Sequence, residues 1–513
     1  MKKVRTRFAP SPTGYAHVGN LRTALFTYLT AKHADGEFIL RLEDTDKNRE
    51  VADADSYILN AIKRLGLDYS EGPDIGGPYA PYRQSERLDI YKTWAEKLIA
   101  SGRAYADPYT PKEMQVFRDE AAKDKKAFRY RDHRPSNPPK WDGTQPLRFK
   151  SDPKDYTWED AIMGELSAGA DAIDDFVLMK SDGYPTYNFA HIVDDHEMKI
   201  THVIRGQEYV SSIPNYLNLY EAFDINPPVL AHMPHILNET GNKKLGKRDG
   251  AKDAMEYLDK EGILVEALDN FLASMGWNDG TEQEIFSMKE LIDKFTLDRV
   301  GRSGARFDEK RLIWMNSQWI KKLSLDELYK RAEPYWGKNG KKAPEKVKRQ
   351  VLMVVQDRLK TLKDLPNLSE YFFIRPQADW AMVEENKQLK KLDHSTQIAL
   401  LSDVRKKLSK LSAKDFKNTA KLQEELNELL VAMEQKPPIL FGLIRFTLTW
   451  AIFSPGLPET MKLLGKRETL RRIDIAIKIL KDYGDKNPFM LRFMLRSMLK
   501  LRDKIWRSEK DSK

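Results

Sequence analysis

Two short segments about 230 residues apart carry the residue types that handle a phosphate chain. The first, Arg7 to Asn20, reads RFAPSPTGYAHVGN: a loop with Pro and Gly, then His17-Val18-Gly19-Asn20 entering a helical pattern, LRTALFTYLTAK. A helix starting there aims backbone N–H groups and an imidazole at an anion. The second, Lys244 to Arg248, reads KLGKR, a glycine-bearing lysine loop able to close over the same triphosphate from the other side. His17 and Lys247 would then face the charge of that triphosphate, including any that grows if its end departs. Such groups raise rate more than ground-state affinity. Either segment alone is weak, because HxG triplets and basic runs arise by chance. A capped turn histidine and a solvated basic loop are the bland alternatives.

The elements that must position these segments alternate. Residues 4 to 80 read as strand, phosphate loop, helix, strand, helix. GEFILRLED (Gly36 to Asp44) is an apolar run ending in acids, as in a buried parallel strand whose C-terminal end meets a site. Ser56 to Leu67 has helical spacing at Ile58, Ile62 and Leu65, then a glycine stop. This order predicts a doubly wound α/β domain. From about 82 to 185 the chain reads as an insertion. Glu113 to Arg134 is densely charged, Pro135 to Pro139 breaks it, and PLRFK (Pro146 to Lys150) reads as a strand. The α/β pattern resumes at Asp175 to Met198, and Thr201 to Val210 is a strand with polar residues at its end. From about Lys321 helical periodicity dominates, interrupted by proline-bearing loops such as DLPNLS.

Composition sets bounds. A chain of 513 residues exceeds one ordinary core, so several domains are expected. A net charge of +9 fits contact with a polyanion. There is no cysteine, which removes disulfides and cysteine-ligated zinc. The nine His are scattered without an HExxH run, so no dedicated metal cage is expected. No apolar run follows Met1-Lys2-Lys3-Val4, and no stretch nears the roughly 20 apolar residues that span a bilayer. A cytoplasmic enzyme without membrane contact is the expectation.

HVGN and KLGKR together resemble the HIGH and KMSKS signatures of class I aminoacyl-tRNA synthetases. The surrounding residues narrow the likeness to the glutamyl-tRNA synthetase family, from about Val4 to about Leu480. The resemblance implies an α/β, Rossmann-like catalytic domain (1–82 and 186–250) and an inserted acceptor-end-binding domain (83–185). A stem-contact domain (251–320), an all-α anticodon-binding half (321–480) and a basic helical extension (481–513) would follow. It implies a monomer that ligates L-glutamate to tRNA(Glu) through glutamyl-adenylate, with ATP as substrate and Mg²⁺ on the phosphate oxygens. Some bacterial members carry a Cys/His zinc site in the insertion. This chain has Asp107-Pro108-Tyr109 there, so no zinc is expected.

Site residues carry over one by one. Arg7 in TRFAPS and Arg205 in VIRGQE match arginines that hold glutamate. Guanidinium suits a carboxylate away from water because it binds bidentately and keeps its proton. Ala9 would line the same place, Ser11 and Tyr187 would supply neutral hydrogen bonds, and Glu43 in RLEDTD would bind the substrate ammonium. His191 stands where relatives vary. ATP would lie against His17, Gly19, Asn20, Glu208, Ile236 and Lys244-Leu245-Gly246-Lys247-Arg248, with His17, Lys244 and Lys247 catalytic. Asn20 replaces the first signature's second His. Gly246 replaces the usual Ser of the second, losing a hydroxyl and loosening the loop.

For tRNA, VQDRLKTLKDL (Val355 to Leu365) resembles the anticodon-contact segment, with Arg358 at the matching place. Trp450 stands where many relatives have Gly, and either reshapes the anticodon pocket or fills a core gap. In the tail, Arg492, Arg496, Lys500 and Lys504 form a basic stripe opposite Leu491, Met494, Leu495, Met498 and Leu499. That stripe fits a docked terminal helix, RNA-backbone contact or another partner.

Four alternatives remain. A non-discriminating enzyme would also charge tRNA(Gln). A glutaminyl-tRNA synthetase is opposed by Arg205 and by the helical C-terminal half. A truncated transferase acting on a tRNA base would lack that half. A catalytically idle RNA-binding paralogue is opposed by His17, Lys247 and Arg205.

Overall fold

The computed structural model describes residues 3–15, 17–246, 252–377, 383, 385–451 and 454–484. The chain divides into two compact units, Met1–Asn316 and Ser317–Lys513.

The strands of the first unit are β1 (Arg5–Phe8), β2 (Glu37–Leu40), β3 (Ala104–Ala106), β4 (Leu147–Phe149), β5 (Tyr156–Asp160) and β6 (Gly164–Ala168). They continue with β7 (Val177–Met179), β8 (His202–Gly206), β9 (Val229–Met233), β10 (Ile236–Leu237) and β11 (Ala305–Arg306). Its helices include α1 (Val18–His33), α2 (Ala54–Arg64), α3 (Leu88–Ala100), α4 (Pro111–Lys123), α5 (Tyr187–Glu197) and α6 (Ile213–Ala222). The main sheet runs β2-β1-β8-β9-β5-β6. All its joins are parallel except β5 with β6. Phe38, Ile39 and Leu40 are all fully buried, as expected for a strand covered on both faces. The chain leaves β1 for β2 on one side and later returns to β8 on the other. The C-terminal ends of β1 and β8 therefore flank a topological switch point, where open α/β sheets form their ligand crevice.

The helix expected from Ser56 forms as α2, and Gly66 follows its cap in the left-handed region at φ 65°, a conformation glycine adopts without Cβ strain.

The inserted region needs correction. β3, β4 and β7 make a separate antiparallel sheet, but the β5–β6 hairpin at 156–168 extends the main sheet beside β9. The expected 83–185 insertion thus contains two strands of the catalytic sheet. Conversely, Val177–Met179, where the α/β pattern was expected to resume, pairs with β4. Strands this short carry no signal of which sheet they join. In the insertion Asp107 accepts from the Tyr130 hydroxyl at 2.5 Å and from Arg148 Nε at 2.6 Å, and Arg148 lies 3.4 Å over the Tyr130 ring.

In the second unit the described elements are helical. They include Leu325–Ala332, Glu345–Val355, Leu365–Phe373, His394–Lys410, Thr419–Ala432, Pro437–Thr449 and Leu457–Gly484. The last is interrupted at Gly465, φ 75°. Leu401, Val404, Leu408, Leu422, Leu426, Leu443, Ile444 and Ile473 interlock as one core. No helix among the described residues is long and apolar enough to cross a membrane. The basic stripe of Arg492, Arg496, Lys500 and Lys504 lies outside the described residues.

Candidate active site

Arg7 and Arg205 come from the C-terminal ends of β1 and β8, at the two lips of the crevice. Both are buried, yet their partners differ. Arg7 Nε donates to Asp195 Oδ1 at 2.9 Å. The fully buried Arg41 donates to the same oxygen at 2.8 Å and to Glu43 Oε1 at 3.0 Å. Burial alone would raise the Asp195 pKa, but the flanking Arg7 and Arg41 hold it well below the usual carboxylate range. Glu43, 6% exposed, is pushed up by burial against the pull of Arg41 and Arg7. Asp194, one residue before Asp195, accepts from Arg87 Nε at 2.7 Å, Tyr91 Oη at 2.8 Å and Gln84 Nε2 at 2.9 Å. These bonds fasten α5 to α3 and so fix the floor of the site.

Arg205 has no carboxylate partner among the described residues. Its Nε donates to His232 Nε2 at 3.2 Å, and its Nη1 lies 3.3 Å from Tyr187 Oη and 3.4 Å from His191 Nε2. The guanidinium sits 5.0 Å from the ring centroids of both Tyr209 and Tyr216. His191 stacks on Tyr187 at 4.7 Å and is fixed through Nδ1 to the Tyr187 carbonyl at 2.7 Å. Burial first, then the Arg205 charge, drive its pKa well below 6.5, so the ring is neutral. The result is a buried cation held by neutral groups, with its charge left over for a ligand. A small cavity beneath it is lined by His191, Asp195, Arg205, Tyr216 and Tyr220.

His17, expected to face the phosphates, is the N-cap of α1. Its Nδ1 accepts from Gly19 N at 3.0 Å, while Asn20 Oδ1 accepts from His17 N at 3.3 Å, a reciprocal capping box. With Nδ1 accepting, the neutral ring carries its proton on Nε2, a donor for phosphate oxygen. Capping and phosphate binding are thus compatible roles. Asn20, expected as an ATP contact, spends its side-chain oxygen on the cap. Lys244 pairs with Glu208 at 3.0 Å, and Leu245 N donates to the Ile236 carbonyl at 2.8 Å, so the lysine loop starts as a strand-like return along β10. Gly246 follows, half-buried, while Lys247 and Arg248 lie outside the described residues. Ala9 is half-buried beside Arg7, and Ser11 is exposed.

In the second unit Arg358 ends a short 3-10 turn after the helix Glu345–Val355 and is exposed. Its charge, after burial, lowers the pKa of Arg445, whose Nε donates to Ser454 Oγ at 2.8 Å. Neither arginine has a carboxylate partner among the described residues. Trp450 occupies the left-handed region, φ 45° and ψ 42°, just after the helix Pro437–Thr449, and packs on the second unit's core.

Sequence reading passed over Arg41, Asp160, Asp194, Asp195, Tyr209, Tyr216 and His232. Adjacent acids within a helical segment were the signal that could have found Asp194 and Asp195. Asp160 lay in what read as the insertion and had no local signal.

Comparison with known proteins follows the same division. Residues 3–314 match the family described as tRNA synthetases class I (E and Q), catalytic domain, and residues 327–477 match an anticodon binding domain. A glutamate--tRNA ligase of Clostridium tetani is 40% identical over 94% of this chain and 98% of its own. One from Clostridium botulinum is 41% identical over 93% and 99%. A solved glutamate tRNA ligase from Elizabethkingia meningosepticum, in complex with its amino acid, superposes with a TM-score of 0.81 at 34% identity, covering 93% of this chain and all of that one.

Proposed function

The chain belongs to the glutamate--tRNA ligase family of class I aminoacyl-tRNA synthetases, and from that premise we propose how its residues divide the work. It ligates L-glutamate to tRNA(Glu) at the expense of ATP. Arg205 receives the substrate's side-chain carboxylate, and that assignment rests on one observation: a buried guanidinium with no carboxylate partner among the described residues. Arg7 is half-neutralised by Asp195 and takes a supporting part. Glu43 faces the ammonium group, with Arg41 holding one of its oxygens. Tyr187 gives a neutral hydrogen bond, and Ala9 and Ser11 border the same site.

Glutamate's α-carboxylate attacks the α-phosphorus of ATP, forming glutamyl-adenylate and releasing pyrophosphate. His17 Nε2–H and Lys247 Nζ stabilise the charge that accumulates on the leaving phosphates. Gly19, Glu208, Ile236 and the segment Lys244 to Arg248 border the nucleotide. In the second step a ribose hydroxyl of the tRNA's terminal adenosine displaces AMP. Mg²⁺ would travel on the triphosphate oxygens. Among the described residues no cluster of three or more His, Asp or Glu side chains could hold it. Arg358, with Arg445 close by, suits the anionic anticodon loop.

ATP–pyrophosphate exchange with tRNA present tests the central assignment. Arg205→Ala leaves a carboxylate without its counter-charge, a loss of about 3–5 kcal/mol, or roughly 10²–10⁴-fold in kcat/KM for glutamate. The ATP constant should hardly move. A glutamate KM and rate near wild type would place the carboxylate elsewhere, with Arg7 next.

A further inference from the structure

We propose that Asp160 and His232 form a buried relay that orients the Arg205 guanidinium without neutralising it, and so act as positioning residues for selecting glutamate over glutamine. This rests on the reading of Arg205 given above.

Adjacent strands of the main sheet deliver the relay. Arg205 on β8 is the direct register partner of His232 on β9, and Asp160 closes β5 on the far side of β9. Exposure is 6% for Arg205, 0% for His232 and 1% for Asp160. Arg205 Nε lies 3.2 Å from His232 Nε2, and His232 Nδ1 lies 2.5 Å from Asp160 Oδ2. An arginine nitrogen can only donate. Nε2 must therefore accept, and the ring proton must sit on Nδ1, facing the carboxylate. The carboxylate cannot swing, because its Oδ1 accepts backbone N–H bonds from Ile162 at 3.0 Å, Met163 at 2.9 Å and His232 at 3.2 Å.

The chemical consequence lies in the type of acceptor. A carboxylate placed directly on Arg205 would discharge the guanidinium, and a neutral amide would then bind nearly as well as an anion. A neutral imidazole aligns the fork and leaves its charge for the substrate. His191 repeats the device, with Nε2 3.4 Å from Nη1 and Nδ1 tied to a carbonyl. Asp160 adds what a lone histidine lacks, a fixed tautomer.

Asp160→Asn is the sharpest test. The three backbone donors require oxygen at the Oδ1 position, so the amide NH₂ must face His232 Nδ1. The ring then takes the other tautomer, and its Nε2–H points at Arg205 Nε–H, donor against donor. In tRNA-supported ATP–pyrophosphate exchange with the full chain, the glutamate KM should rise about tenfold or more. Glutamate-over-glutamine preference should fall with it, and the ATP KM should stay within about twofold. His232→Leu should do the same, whereas His232→Gln, which offers a carbonyl oxygen to Arg205, should recover most of the glutamate affinity. An unchanged glutamate KM in Asp160→Asn, or equal losses toward glutamate and ATP, overturns the relay. If Asp160→Asn does not fold, the histidine pair carries the test, and equal glutamate KM in the Leu and Gln variants overturns it. Arg205→Ala run alongside separates the two readings. If it raises the glutamate KM and Asp160→Asn does not, the relay alone fails. If Arg205→Ala leaves that KM unchanged, the assignment of Arg205 itself fails.

Discussion

Gly19 lies against the ring of His17: a Cβ built on it would stand 2.9 Å from His17 Cε1 and 3.1 Å from Nδ1. The glycine two residues after the histidine is therefore a steric condition for the imidazole to cap α1, and with it for the proposed presentation of Nε2–H to phosphate. Gly19→Ala must rotate the ring or break the Nδ1 cap. Adenylate formation should slow by about 10²-fold, comparable to losing one charge-stabilising donor, with the glutamate KM nearly unchanged. Stopped-flow or exchange kinetics measure this directly, and a near-normal activation rate would show that His17 stabilises no leaving charge.

That spacing explains why the start of α1 was readable from the chain alone. HxG is a local device, complete within one turn, so sequence order is enough to recognise it. Arg7 and Arg205 stood out for a related reason, since each lies near the end of a short strand. Asp160 and His232 did not. Their meaning depends on β5 joining β9, and a five-residue strand with alternating burial does not announce its neighbour. The same short-strand ambiguity misplaced the edges of the insertion. Asn20 was legible as part of the motif, but its spent side-chain oxygen appears only once the cap is seen.

Trp450 sits where a helix-ending left-handed residue is most often glycine. For a residue with a Cβ this conformation costs about 1 kcal/mol or somewhat more. Half-burying an indole of roughly 200 Å² returns about 2.5 kcal/mol, so packing wins. Trp450→Ala loses the packing and keeps the strain, whereas Trp450→Gly loses both. Both variants should melt below wild type, with the glycine variant about 1 kcal/mol the more stable of the two. Equal thermal midpoints for Ala and Gly would remove the strain from this account.

His191 predicts a pH dependence. Burial and the Arg205 charge hold its folded pKa well below the ordinary 6.5. As pH falls, the unfolded chain takes up the proton first. The stability from keeping His191 neutral is thus complete above pH 6.5 and is lost as pH falls through 6.5 toward the folded value. The slope approaches about 1.4 kcal/mol per pH unit. His191→Asn has no such titration. Between pH 7.5 and 5.5 the wild type's thermal midpoint should fall further than that of His191→Asn, and parallel falls would mean that His191 titrates normally.

Arg358 and Arg445 are two guanidiniums close enough for one to depress the other's pKa, neither with a carboxylate partner among the described residues. Such a pair relaxes when an anion or an acceptor-rich base edge arrives, as in a splayed anticodon loop. The glutamate and glutamine tRNAs differ at the third anticodon base, C in one and G in the other, so a guanidinium there can favour one over the other. Arg358→Gln should cut the ratio of tRNA(Glu) to tRNA(Gln) charging by roughly tenfold, the scale of one base contact. Glutamate activation on bound tRNA should persist, because Arg358 belongs to the anticodon-binding part of the chain. Both transcripts should be charged side by side by wild type and variant. Unequal charging by the wild type that survives the substitution would move discrimination to another residue. Equal charging by the wild type would show that Arg358 binds without discriminating, and the enzyme would then supply misacylated glutamyl-tRNA(Gln) for a later amidation.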